Sequence, residues 1–225
     1  SMLLDSLVGD AAWRGRYARD RSGAVIPWDL VKADIEATHP YKVFALRAML
    51  AVPYFEKALY ELPEAQLTPE RIAALADEVE ARVCGGLSSR PLLSVPHLLS
   101  DEASCYYHGY VLADMAVYQT REHLFRAFGS IVDNPAVGPA LTEAYWKWGN
   151  SEMFLDLVHK FTGTPLTGDA WVRALEVDLE KKIEKEHAEY VQAAALPPPS
   201  AAPGEIDLGM RVRFVDGDVV ISDTA

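Results

Sequence analysis

PHLLSDEASCYYHGYVLADMAVYQTREHLFRAFG, Pro96 to Gly129, reads as one long amphipathic helix. Ser100 and Asp101 are N-cap residues by type, and Gly129 suits the far end. No proline interrupts the run between them, and Gly109 is its only glycine. At helical spacing Ala103, Tyr106, Tyr107, Tyr110, Val111, Val117, Tyr118, Leu124, Phe125 and Phe128 make one broad apolar face. A start at Ser100 or Asp101 predicts roughly seven turns.

Polar groups share that face. Tyr107, Tyr110, Asp114 and Arg121 follow one another at steps of three, four and seven, which keeps them on one side of a helix. Two readings stay open. The residues are helix-packing tyrosines with a structural ion pair, or they form a polar seam lining a cleft. Asp114 either orients a tyrosine or pairs with Arg121.

The flanks are helical as well. A short helix is predicted over residues 3–20, anchored by Trp13 and Tyr17 one turn apart. Pro27 suits the first turn of a helix reaching about Glu36, and Pro40 opens a longer one. That one carries Phe44, Ala48, Ala51, Tyr54, Phe55, Ala58 and Leu59, with a kink expected at Pro53. Thr68-Pro69-Glu70 starts another helix and Gly85-Gly86 stops it. LSSRPLLSVP, residues 87–96, is a loop. Beyond Gly129, Asn134-Pro135 marks a break. A helix with Tyr145, Trp146 and Trp148 follows, and both tryptophans are expected in the core. The next helix reaches about Thr162, where Gly163 closes it. A last long helix is predicted over about Asp169–Ala195, its charged run laced with i to i+4 pairs.

The character then changes. LPPPSAAPG, Leu196 to Gly204, is a Pro/Ala linker. RVRFVDGDVVIS alternates about Asp216-Gly217, a hairpin signal within 205–225. The fold class is therefore all-α: a multi-helix body over 1–195, then the linker at 196–204 and a short C-terminal β-hairpin.

Composition narrows the partners. The formal charge of the 225-residue chain is −12, which points away from nucleic acid, because phosphate contacts need basic patches. No apolar run approaches the ~18 residues of a membrane span. The only two cysteines, Cys84 and Cys105, lack metal-ligand spacing, so reduced thiols in a cytoplasmic protein are expected.

A helical zinc hydrolase needs His-Glu-x-x-His, two imidazoles one turn apart beside a general base. His39, His97, His108, His123, His159 and His187 provide no such pair. Phosphate loops and nucleophile elbows are lacking too.

The order of motifs is nonetheless informative. His97, then Tyr106-Tyr107-His108-Gly109-Tyr110, then Asp114 resembles the substrate-binding segment of the thimet oligopeptidase and oligoendopeptidase F superfamily of zinc metallopeptidases. That segment has a His in a glycine-containing loop, a Tyr-x-x-Tyr pair on a helix and an acidic residue beyond. Trp148-Gly149-Asn150-Ser151, Phe154-Leu155 and Phe161-Thr162-Gly163-Thr164-Pro165 resemble the family's C-terminal signature. Ser1 to about Tyr17 looks like the stretch after the third zinc ligand. The likeness spans most of 1–195. It departs in the loop, where His97 stands one residue further from the tyrosine pair and most of the family's glycines are missing.

The resemblance implies a zincin-like oligopeptidase C-terminal region. This chain would be the substrate-binding half of a zinc-dependent metalloendopeptidase hydrolysing oligopeptides. Zinc belongs to the complete enzyme, and its motif is expected upstream of Ser1, in an N-terminal half that acts as partner. Tyr107 and Tyr110 would hydrogen-bond the peptide carbonyl and its oxyanion, with His97, Tyr106 and Asp114 contacting substrate. No residue of this chain is expected to bind metal, and alone the chain is expected to be inactive. A non-catalytic helical module, whose tyrosine seam holds a peptide or partner, is the alternative.

Overall fold

The computed structural model describes residues 1–87, 91–197 and 213–223, and they fall in two units, Ser1–Ala195 and Leu196–Ala225. Helices α1 (Met2–Asp5), α2 (Ala11–Tyr17), α3 (Trp28–Thr38), α4 (Lys42–Tyr60) and α5 (Pro69–Cys84) come first. Then follow α6 (His108–Phe128), α7 (Val137–Ala144), α8 (Phe154–Thr162), α9 (Asp169–Leu175) and α10 (Leu179–Ala194). Tight single turns fill many of the gaps.

Among the described residues three apolar clusters hold this unit. The first joins α4 to α5 through Ala51, Val52, Phe55, Leu75, Ala76 and Val79, with Leu92 and Val95 added from the following loop. The second gathers Leu124, Ile131, Val137 and Leu141, with Phe161 against them. The third seats α3 on α2 and α10 through Ala11, Val31 and Ile35.

Local chemistry explains where helices begin and end. The Thr68 hydroxyl accepts from the Arg71 amide at 3.2 Å, and Gly85 takes the left-handed φ of +83° that ends α5. Gly163, at φ +80°, ends α8 in the same way. The predicted 169–195 helix is two helices. Asp178 breaks it, because its carboxylate accepts from the Glu180 and Lys181 amides and starts α10 anew. The predicted helix over 3–20 is also divided. Asp10 leaves the helical region at ψ 135°, and its carboxylate takes Arg121 instead of capping α2. The first amide of α2, at Ala11, is instead capped by Glu186 Oε2 from α10, at 2.8 Å. Trp146 and Trp148, expected in the core, sit exposed in a tight turn, with Lys147 and Lys160 near the Trp148 ring.

The second unit holds the hairpin, β1 (Arg213–Asp216) paired antiparallel with β2 (Val219–Asp223) around Gly217 at φ +56°. The linker reading over 196–204 lies outside the described residues from 198 onward. Among the described residues no helix is long and apolar enough to cross a membrane.

Candidate functional site

The central helix starts later than its sequence suggests. Ser100 precedes a tight turn at Asp101–Ala103, and α6 begins only at His108, with Tyr107 at its N-cap position. The backbone breaks first at Ser104, extended at ψ 132°, and then at Cys105. Cys105 adopts φ +54°, a left-handed conformation that an L residue other than glycine rarely takes. The Glu56 carboxylate, reaching from α4, accepts its amide at 2.8 Å. The tyrosine pair therefore straddles the join between a turn and a helix.

Four of the five sequence-predicted residues, His97, Tyr106, Tyr107 and Tyr110, come together there, and Asp114 does not. Tyr110 Oη and His97 Nε2 are hydrogen-bonded at 3.1 Å, the tautomer setting the direction. The His97 ring meets Tyr107 and Tyr110 edge to face, with centroids 5.1 and 5.5 Å away. Tyr107 and Tyr110 are 5.2 Å apart, and Tyr106 packs on Tyr110 at 5.5 Å. Edge-to-face contacts of this kind let each ring hydrogen approach a neighbour's electron-rich face. Tyr107 also leans on the α4–α5 core.

The cluster is open on one side. His97, Tyr107 and Tyr110 are half-buried, while Tyr106 is 55 % exposed. Among the described residues the Tyr107 hydroxyl has no partner, and it is not among the buried unpartnered atoms, so it reaches solvent. His108 points outward and is exposed.

One turn beyond Tyr110, Asp114 is half-buried and has no hydrogen-bond or ion-pair partner among the described residues. Burial raises its carboxyl above the usual range. It does not pair with Arg121. Arg121 donates to both oxygens of Asp10 at 2.7 and 2.9 Å and to Ser6 Oγ at 2.9 Å. Burial, and then the Asp114 charge, push the Tyr118 phenol upward, and that ring stacks on Trp171 at 5.3 Å. The seam thus runs Tyr107, Tyr110, Asp114, Tyr118, and Arg121 at its end is used in the fold.

The buried side of α6 is more polar than its pattern suggests. Gln119 and Thr120 are buried beside Ala116, Val117 and Leu124. The Gln119 amide donates to Thr162 Oγ1 at 2.8 Å and to the Thr164 carbonyl at 3.1 Å, and its oxygen accepts from the Thr167 amide at 3.0 Å. This clamps the Gly163-Thr164-Pro165 turn onto α6. The sequence reading also missed Glu56. It follows Phe55 and lies four residues beyond Val52, so it falls inside an apolar stripe, which was its one signal.

Among the described residues no three His, Cys, Asp or Glu side chains gather to hold a metal ion. No family model, curated protein or solved structure matches the chain.

Proposed function

We propose that this chain is the substrate-binding half of a zinc-dependent endopeptidase acting on oligopeptides, with the zinc and its general base carried by a separate polypeptide segment. One observation supports the reading above the others. His97, Tyr106, Tyr107 and Tyr110, singled out by the order of motifs, form one ring cluster with a free phenol facing solvent.

The chemistry follows from those groups. A phenol offers an O–H donor without carrying charge, so Tyr107 and Tyr110 are suited to a peptide carbonyl and to the oxyanion that replaces it. His97 holds the Tyr110 hydroxyl in place at 3.1 Å. Asp114, without a partner of its own, can accept from a peptide N–H or amine. Zinc supplies Lewis-acid activation of a carbonyl and of water when bound. No metal-ligating part is proposed for residues of this chain.

The test is turnover of an oligopeptide by this chain joined to its zinc-bearing segment, with and without chelator. Tyr110→Phe should lower kcat about 10²–10³-fold, the usual cost of one oxyanion donor. Unchanged turnover would overturn the role. The reading frame that encodes the chain is a second check: a His-Glu-x-x-His upstream decides for the enzyme. Tight peptide binding without hydrolysis, and no such motif, would decide for the non-catalytic binding module.

A further inference from the structure

We infer that Glu56 is the positioning residue of the tyrosine cluster, its carboxylate fixing the Cys105 turn from which Tyr106, Tyr107 and Tyr110 are launched. The inference rests on reading that cluster as a peptide-contacting wall. It needs neither zinc nor hydrolysis.

Glu56 is only 3 % exposed. Glutamate is almost never fully buried without a partner, because water solvates its oxygens better than an apolar interior does. Here Glu56 has no ion-pair partner among the described residues. Its Oε1 accepts the Cys105 amide at 2.8 Å, and its buried Oε2 has no partner there. A carboxylate kept dry for one backbone amide points to the importance of that amide's place.

The amide belongs to a residue in an unfavourable conformation. Cys105, at φ +54°, lies between the tight turn at Asp101–Ala103 and the start of α6 at His108. A left-handed residue of this kind persists where its surroundings hold it. The same residue sets the direction in which the next two side chains leave. Tyr106 follows directly, and Tyr107 takes the N-cap position against His97 at 5.1 Å. Glu56 itself is rigidly placed, since Val52 and Phe55 beside it belong to the α4–α5 core. The bond therefore ties the tyrosine wall to the α4–α5 core.

Two substitutions separate the acceptor from mere packing. Glu56→Gln keeps a carbonyl acceptor at Oε1, and no donor faces Oε2 to clash with the new NH₂. Glu56→Leu fills a similar volume without an acceptor. Amide hydrogen exchange at Cys105 and the affinity for a mixed-sequence oligopeptide are then measured on the whole 225-residue chain. The Gln variant should keep Cys105 protection and bind peptide within about twofold of wild type. The Leu variant should lose that protection and bind about tenfold more weakly, with exchange in α5 and α10 unchanged. Protection and affinity retained in the Leu variant would overturn the assignment, and so would their loss in the Gln variant. If the Leu variant does not fold, the Gln variant decides alone. If the wild-type chain binds no peptide, the wall reading falls, while Cys105 exchange in the two variants still decides for or against Glu56.

Discussion

His97 Nε2 and the Tyr110 hydroxyl meet at 3.1 Å, joining a loop before the central helix to its first turn. The bond is partly buried, so breaking either side leaves the other under-satisfied. Urea unfolding of His97→Ala, Tyr110→Phe and the double variant should give non-additive losses, with a coupling of about 0.5–1.5 kcal/mol. Strict additivity would mean that the two groups do not act as a pair in solution.

At Gly15 α2 lies close against α10. A Cβ there would stand 2.9 Å from the Tyr190 carbonyl oxygen and 3.0 Å from its ring. Alanine gains about 0.5–1 kcal/mol in helix preference over glycine, but overpacking against backbone costs about 1–3 kcal/mol. Overpacking wins. Gly15→Ala should lower Tm by several degrees in a thermal melt, and an unchanged or higher Tm would show that α10 can yield.

Gln119 serves both sides of the turn after α8. Leucine would fill much of its space yet leave the Thr167 amide without its acceptor and remove the donor to Thr162 and Thr164. The expected loss is about 1–3 kcal/mol in urea unfolding, with faster amide exchange at Thr167 as the local signature. Normal exchange there would assign the clamp to packing alone.

Glu186 gives the α2–α10 junction one acid-sensitive contribution, while burial raises the neighbouring Asp10 and Glu189 carboxyls and works the other way. Burial works against the Glu186 charge, yet the Lys182 ammonium and the Ala11 amide together bring its carboxyl below the usual glutamate range. A folded value lower than the unfolded one means that the unfolded state takes up protons first. The contribution is thus complete above the unfolded value and is lost as pH falls through the folded one. Unfolding free energy measured from neutral pH down into the acid range should fall less steeply in Glu186→Gln than in wild type. Parallel curves would exclude Glu186 as the source.

Helix ends marked by backbone chemistry were legible in the sequence. Thr68 and Gly85 bound α5 as their types require, and Gly163 ends α8. Motif order singled out His97, Tyr106, Tyr107 and Tyr110, but nothing in the spacing gave the edge-to-face packing of their rings. The Cys105 turn was not, because no local pattern marks a cysteine for φ +54°; a carboxylate 49 residues away holds it. Distance also hid the fate of Arg121, which finds Asp10 across 111 residues and not Asp114 on its own helix. Asp178 was hidden by its setting. Inside a charged run it looked like one more solvated acid, yet it caps a new helix.

The interlocked rings of His97, Tyr106, Tyr107 and Tyr110 also make a built-in optical gauge. Phenols fixed in an asymmetric arrangement absorb left- and right-circularly polarised near-ultraviolet light unequally, and loosening them erases the difference. A guest that shifts these rings would change their share of that signal, which Tyr106→Phe, Tyr107→Phe and Tyr110→Phe would separate from the share of the other tyrosines and the tryptophans.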